Sequence, residues 1–121
     1  METTDAKRLV RESLYIPNKD CRAWSPPDRD RDGFLNERRS DLVKSLVEPY
    51  RASVTPDRSA RDFGEWEDRP YTMFIVAKGA MNSVLLINSE TGCFSLGSVD
   101  AAGNVYLLGF SSKDALAEWV D

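Results

Sequence analysis

The sequence predicts an α+β domain, in which a small antiparallel β-meander carries N-terminal helices and a C-terminal helix packed on one face. Short apolar runs separated by turn residues occupy residues 71–109, which is the pattern of strands joined by tight loops. Segments with apolar residues at helical spacing stand before and after this region. With 121 residues the chain can bury one core, so we expect residues 1–121 to form a single domain.

The N-terminal half contains two predicted helices. Thr4 or Asp5 can cap the first helix, which is expected to end near residue 14, before Pro17. The second helix is predicted over residues 35–48 and is expected to stop or kink at Pro49. Its apolar residues predict one buried stripe, formed by Leu42, Val43, Leu46 and Val47.

Two polar segments, residues 17–33 and 55–70, are predicted to be loops because they are rich in Pro, Asp and Arg. Aromatic residues within them are expected to anchor each loop to the core. Trp24 has this role in the first loop, and Phe63 and Trp66 share it in the second.

Four strands are predicted, over residues 71–77, 84–88, 93–97 and 105–109. The first has apolar residues on both faces, which indicates a central strand covered by helix on at least one side. Gly92 can adopt positive φ in the loop before the third strand, and Gly103 has the corresponding place in the next loop.

A short closing helix is predicted after the last strand. Ser111 with Asp114 three residues later resembles a capping box and marks the start of this helix. Its residues expected to face inward are Leu116, Trp119 and Val120.

The charge pattern argues against nucleic acid as a partner. The formal net charge is −4 and the isoelectric point is about 4.9. Arg residues alternate with Asp over residues 28–32, so a clustered basic surface is not expected. No apolar run is long enough to cross a bilayer, and the first residues lack the apolar stretch of a signal peptide. We therefore expect a cytoplasmic protein that does not bind membranes.

The absence of histidine is a strong constraint on function. Ser–His–Asp and Cys–His catalysis and His-ligated zinc are ruled out. Cys21 and Cys93 are far apart in sequence and are expected to be reduced. Catalysis by paired carboxylates needs two acidic groups on opposite sides of a cleft, but the acidic residues lie in predicted loops and on helix surfaces. We therefore expect no catalytic residues, no cofactor and no enzymatic activity.

The sharpest local motif resembles the front of an EF-hand loop. Asp28, Asp30 and Asp32 hold loop positions 1, 3 and 5, and Gly33 holds position 6. Arg39 stands at position 12, where a glutamate would close the cage, and two prolines precede the motif. Turn and helix-start chemistry is favoured over a cation site, so no metal is predicted. The three aspartates are instead candidate residues for binding a protein partner.

A second candidate interface is the most concentrated acidic segment, which also carries an aromatic side chain. It consists of Glu65, Trp66, Glu67 and Asp68. Tryptophan supplies contact area and carboxylates attract a basic partner. The alternative is that Trp66 fills the core beside the first strand while the acids are solvated.

The C-terminal half resembles the end of the SUKH superfamily of bacterial immunity proteins. The matching segments are MFIVAKGAMN, VLLINSETGCFSL, DAAGN and VYLLGFSSKDALAEWV. In that family the last strand commonly runs through a serine-rich cap into a closing helix, as Phe110-Ser111-Ser112 does here. The resemblance covers about fifty residues. It implies a protein that binds and blocks a cognate toxin, often a nuclease or a deaminase.

Three functions follow as hypotheses. The first is a non-enzymatic immunity protein that binds and neutralises a cognate bacterial toxin. The second is a small acidic secretion chaperone that holds an effector protein as a homodimer. The third is a small enzyme or metal-binding module built on the loop of Asp28 and Asp32. The oligomeric state, monomer or homodimer, is left open by the sequence.

Overall fold

A computed structural model of the chain describes residues 1–62 and 66–119. These residues form four α-helices and five strands, which confirms the α+β class. In chain order the elements are α1 (Thr3–Ser13), α2 (Arg31–Ser45), β1 (Leu46–Pro56), α3 (Arg58–Asp62), β2 (Tyr71–Lys78), β3 (Ser83–Asn88), β4 (Phe94–Val99), β5 (Val105–Ser112) and α4 (Ala115–Glu118). No helix in these two ranges is long and apolar enough to cross a membrane.

The first helix begins slightly earlier than predicted. Glu2 takes the N-cap position, and its backbone N–H donates to the Asp5 carboxylate at 2.8 Å. The predicted cap at Thr4 or Asp5 is therefore wrong, because Asp5 acts from the first turn of the helix back onto the preceding residue. Ala6 and Val10, four residues apart, place one face of α1 in the core.

The second helix begins within the Asp/Arg-rich loop, four residues before its predicted start. Asp30 is the N-cap, and its carboxylate accepts the backbone N–H of Gly33 at 3.0 Å. The helix then buries Leu35 and Leu42. Val43 was predicted to belong to the buried stripe, but its side chain is exposed.

The last residues of the predicted second helix belong to a strand instead. At Leu46 the backbone is already extended (φ −61°, ψ 138°), and β1 pairs with both β2 and β5. Pro49 lies in the gap in register between Leu46 and Tyr50. The sheet loses no hydrogen bond there through the missing N–H of proline. Pairing of β1 with β2 from Leu46 onward, and with β5 at residues 54–56, thus outweighs the helical spacing of Leu42, Leu46 and Val47.

The four predicted strands form the expected antiparallel meander, β2-β3-β4-β5. Gly92 and Gly103 both have positive φ, at 73° and 87°, in the loops before β4 and β5. The unpredicted strand, β1, changes the architecture. In a meander of five strands the first and last point the same way, so β1 meets β5 as a parallel pair and closes the sheet into a barrel.

Two hydrophobic cores lie on the two sides of the barrel wall. The outer core joins α1, α2 and α4 to one flank of the barrel through Phe74, Val76, Leu85, Ile87 and Phe94. The inner core fills the barrel with Val54, Met73, Ile75, Val84, Leu86, Val105 and Leu107. The apolar residues on both faces of β2 are explained, since one face looks inward and the other lies beneath the helices.

One end of the barrel is closed by the segment between β1 and β2. Ala60 of α3 is fully buried in the inner core. Trp66 packs against the same core, and its indole N–H donates to the carbonyl oxygen of Gly109 at 2.9 Å. The prediction that Trp66 anchors its loop is confirmed, whereas Phe63 lies outside the described residues.

The C-terminal helix is capped by Asp114, not by the predicted Ser111. The Asp114 carboxylate accepts the backbone N–H groups of Leu116 and Ala117, at 3.1 and 3.3 Å. It also accepts the backbone N–H of Arg22 at 2.8 Å. Ser111 cannot serve because β5 continues through Ser112.

A second hydrogen bond joins the same regions. The hydroxyl oxygen of Ser13, at the end of α1, accepts the backbone N–H of Ala115 at 2.8 Å. Leu116 and Trp119 are buried as predicted, while Val120 lies outside the described residues. The end of α1, the loop at Arg22 and the closing helix are therefore held together at one point.

We expect Gly97→Ala to lower the free energy of unfolding by about 1–3 kcal/mol through overpacking of the inner core. A Cβ at this position would lie 2.7 Å from Cδ1 of Leu86 and 3.0 Å from the carbonyl oxygen of Tyr106. Gly109→Ala is the matched control, because a Cβ there meets nothing within 4 Å. Urea unfolding of both variants measures the difference, and equal stabilities would contradict the close packing at Gly97.

We expect Asp114→Ala to lower the free energy of unfolding by about 2–3 kcal/mol, because it removes a helix cap and also leaves the N–H of Arg22 without its acceptor. Asp30→Ala removes a cap that holds a single backbone N–H, so we expect a loss of about 1 kcal/mol. Urea unfolding followed by tryptophan fluorescence compares the two variants. A loss for Asp114→Ala no larger than that for Asp30→Ala would contradict this account.

Candidate functional site

An exposed tryptophan lies at the rim of a cleft between α2 and the closing helix. Trp24 is 73% exposed and meets Phe34 edge-on, with 6.3 Å between the ring centroids. The cavity beside these rings measures about 220 Å³. We call it the aromatic cleft, and its lining consists of Ala23, Trp24, Phe34, Arg38, Leu116, Ala117 and Trp119.

The inner wall of the aromatic cleft includes the buried side chains of Leu116 and Trp119. Trp119 is 1% exposed, and its carbonyl oxygen accepts a hydrogen bond from the Arg38 guanidinium at 2.7 Å. Its indole N–H has no hydrogen-bond partner within residues 1–62 and 66–119. The cleft thus combines an apolar wall, a cation and an exposed aromatic ring.

The exposure of Trp24 overturns the prediction that it anchors its loop to the core. The neighbouring Ala23 and Cys21 turn inward instead. The loop is held by Arg31, whose guanidinium donates to the carbonyl oxygens of Cys21 and Ala23 at 2.6 and 3.0 Å. Because these hydrogen bonds already fasten the loop, the indole of Trp24 is free to face solvent.

The edge of the aromatic cleft carries a further cation. The Arg29 guanidinium lies over the ring of Phe34, 5.3 Å from its centroid, and also pairs with the Glu37 carboxylate at 3.1 Å. Arg29 therefore stacks on one aromatic ring of the cleft while its charge is partly balanced.

The three predicted aspartates belong to the segment that leads from Trp24 into α2, and they do not converge on one point. Asp30 caps α2, Asp32 accepts the side-chain amide of Asn18 at 3.0 Å, and Asp28 is exposed. In the described part of the chain, no group of three or more His, Cys, Asp or Glu side chains is placed to hold a metal ion. Asp30 thus supplies helix-start chemistry, as the favoured interpretation of the EF-hand-like motif predicts.

The acidic segment lies at the closed end of the barrel, and its charges are largely balanced by neighbouring arginines. Glu67 pairs with Arg69 at 2.8 Å, and Asp68 pairs with Arg61 at 2.9 Å. Trp66 is half-buried and meets Tyr71 edge-on at 5.2 Å, while Glu65 lies outside the described residues. Because Trp66 and Tyr71 already pack against each other, this segment offers a partner less free aromatic surface than the aromatic cleft does.

Both cysteines are free thiols, and Cys21 is poorly suited to nucleophilic chemistry. Burial raises the pKa of the Cys21 thiol, against the lowering effect of a backbone hydrogen bond at Ala23. The nearby Asp114 carboxylate raises it further. The thiol therefore stays protonated near neutral pH. Because the thiolate is the reactive form, Cys21 is a poor nucleophile.

Sequence reasoning missed the aromatic cleft, since its residues come from three separate segments. Trp24 lies three residues after a cysteine and two residues before a pair of prolines. Phe34 follows the Asp/Arg motif, and Trp119 is at the end of the closing helix. One signal was present in the sequence. A tryptophan within a proline-rich polar loop, without apolar neighbours at helical or strand spacing, is as consistent with an exposed contact residue as with an anchor.

Comparison with known proteins identifies no relative of this chain. No protein-family model, curated protein or solved structure matches this chain. Its function is therefore argued from the geometry of the aromatic cleft, the barrel and their charges.

Proposed function

We propose that this chain is a non-enzymatic protein-binding module that neutralises a toxin by forming a stoichiometric complex with it. The resemblance of the C-terminal half to the SUKH superfamily suggests this class of partner. The aromatic cleft supplies the contact surface, with Trp24 as its main anchor.

The observation that carries the proposal is the exposure of Trp24 on a loop that side-chain hydrogen bonds hold in place. Tryptophan and arginine are the residues most enriched among interface hot spots, where truncation costs about 2 kcal/mol or more. Here a 73% exposed Trp24 stands beside Arg29 and Arg38, and Phe34 supports its ring edge-on. Because the hydrogen bonds of Arg31 hold the loop in place, the indole loses little freedom when a partner covers it.

The overall charge of the chain favours a partner with a basic surface. The chain has a net charge of −4, and Asp28, four residues after Trp24, is exposed. A nuclease or deaminase acts on nucleic acid and presents cationic side chains to it, so the net negative charge of this chain would speed the encounter. Glu67 and Asp68 are already paired with arginines, and we assign them a secondary place at this interface.

We expect Trp24→Ala to weaken binding to the cognate toxin by at least about 30-fold, because a hot-spot tryptophan carries about 2 kcal/mol of binding free energy. The toxin is sought by co-expression with each protein encoded beside this chain, and the dissociation constant is measured by calorimetry. Growth of the host with the toxin measures protection. The matched control is Tyr15→Ala, an 85% exposed aromatic residue that lines a different cavity.

The control should bind within about twofold of the parent chain, as expected for a residue outside the hot spot. Equal unfolding midpoints of the two variants would show that the difference lies in the contact surface. If no neighbouring protein forms a complex or is neutralised, the toxin-binding function is wrong. If Trp24→Ala binds as tightly as the parent chain, the aromatic cleft is not the interface.

A second apolar groove favours the chaperone hypothesis as the alternative. It lies between α1 and α2, holds a cavity of about 360 Å³, and includes the exposed side chains of Tyr15 and Val43. Such a groove could hold an extended segment of a client effector protein. The full lining is Arg11, Leu14, Tyr15, Arg39, Ser40, Val43 and Leu46.

The two functions differ in their expected oligomeric state. For the toxin-binding module we expect light scattering at micromolar concentration to give the monomer mass of 13.6 kDa. A secretion chaperone of this size is expected to be an obligate homodimer, because a single small domain offers little surface for an extended client. A stable mass of twice the monomer, together with loss of client binding in Tyr15→Ala but not in Trp24→Ala, would favour the chaperone.

A further inference from the structure

A solvent-open cavity lies at one end of the barrel, outside the filled inner core. At the opposite end, Ala60 and Trp66 cover the inner core. The cavity has a volume of about 340 Å³ and lies between the beginning of β1 and the turns that follow β2 and β4. We call it the barrel mouth, and its apolar lining is Ala52, Ile75, Val84, Val99 and Val105.

The rim of the barrel mouth is polar and carries a single cation. Asn82 and Ser83 line one side, with Tyr50 and Lys78 on the other. The Lys78 ammonium lies 5.3 Å from the centroid of the Tyr50 ring. Among residues 1–62 and 66–119, no carboxylate forms an ion pair with Lys78.

Two acidic groups near the barrel mouth in sequence are already engaged: Glu48 pairs with Lys7 at 3.2 Å, and Asp100 is held within its own loop. The Asp100 carboxylate accepts the backbone N–H groups of Ala102 and Asn104, at 3.0 and 2.8 Å. It also accepts the side-chain amide of Asn104 at 3.1 Å. The loop that carries Gly103 to the barrel mouth thus holds its own carboxylate in place, and Lys78 has its charge available.

The backbone around the barrel mouth is irregular. The β1–β2 register shifts between Leu46 and Tyr50, and the β2–β3 register shifts between Ile75 and Ala77. Bulges of this kind gather at barrel rims and next to binding sites, where they redirect side chains. The second shift places Ala77 in the outer core instead of inside the barrel, so the interior is left without a side chain there.

The turn beside the barrel mouth holds two consecutive left-handed residues that are not glycine. Met81 has φ 55° and Asn82 has φ 64°. Asparagine adopts this conformation readily, but for methionine it costs free energy. Met81 is 94% exposed, so contacts of its side chain do not offset this cost. Strain of this kind clusters at ligand-binding sites.

We propose that the barrel mouth binds a small organic carboxylate, with its hydrocarbon part against the apolar lining of the mouth and its carboxylate paired with Lys78. The cavity volume lies near the lower end of the range for ligand pockets, about 300–1,000 Å³, which suits a short alkyl or aryl chain. Valine and isoleucine walls offer no partner for a second charge, so dianions and inorganic phosphate are disfavoured. The barrel mouth and the aromatic cleft share no lining residue, so this site is independent of toxin binding.

The test is a nuclear magnetic resonance titration of the ¹⁵N-labelled chain with sodium octanoate. We expect saturable shifts of the backbone amides of Lys78, Gly79 and Gly103, while Trp24 and Trp119 at the aromatic cleft do not move. Octan-1-ol, which has the same chain without the charge, should bind at least about tenfold more weakly, since about 1.4 kcal/mol of charge pairing is lost.

Two variants locate the charge and the chain. Lys78→Glu should weaken octanoate binding by at least about tenfold, whereas Lys44→Glu, which makes the same charge change on an exposed lysine of α2, should not. Val99→Phe fills the cavity and should abolish the shifts. If Val99→Phe does not fold, the two lysine variants still decide the question.

Three results would overturn the proposal. The first is the absence of saturable shifts at the barrel mouth up to millimolar octanoate. The second is equal binding of octan-1-ol and octanoate, which would leave Lys78 without a role. The third is equal weakening by Lys78→Glu and Lys44→Glu, which would show a general charge effect.

Discussion

The parallel pairing of β1 with β5 is the contact on which the rest of the structure depends. It joins residues 54–56 to residues 105–107 and turns an open meander into a closed barrel. Closure pairs the two outermost strands over these residues and creates an interior that Val54, Val105 and Leu107 help to fill. It also divides the apolar residues of β2 between two cores. Without this pair, the inner face of the sheet would face solvent and the barrel mouth would not exist.

The helices are held to the barrel by a compact hydrogen-bonded junction at Asp114. One carboxylate caps the closing helix and accepts the N–H of Arg22, and the Ser13 hydroxyl binds the N–H of Ala115 beside it. A buried carboxylate is stable there because backbone donors replace the water that it loses. The junction sets the position of Trp119 relative to the loop that carries Trp24. The aromatic cleft is thus built by contacts among segments about 90 residues apart in sequence.

The arginines of the chain have structural roles that their spacing with aspartate conceals. Arg31 fastens the loop before α2, Arg38 binds the carbonyl oxygen of Trp119, and Arg61 balances Asp68. Each guanidinium satisfies carbonyl or carboxylate oxygens, which limits the free charge on the surface. Lys78 differs because, within the described residues, its ammonium group contacts the face of the Tyr50 ring and forms no ion pair.

The sequence by itself determined the α+β class, the four strands from residue 71 onward, both positive-φ glycines and the helix-start role of the Asp/Arg motif. These features depend on neighbouring residues, through alternation of side chains, turn chemistry and capping, and so local pattern is sufficient to predict them. Only the tertiary structure decided that residues 46–56 form a strand, that Asp114 is the cap, and that Trp24 faces solvent. The strand depends on pairing with β2 and β5, the cap at Asp114 on the continuation of β5 through Ser112, and the exposure of Trp24 on Arg31, which holds the loop. Because such partners meet only in the folded chain, neither the aromatic cleft nor the barrel mouth is visible in the order of residues.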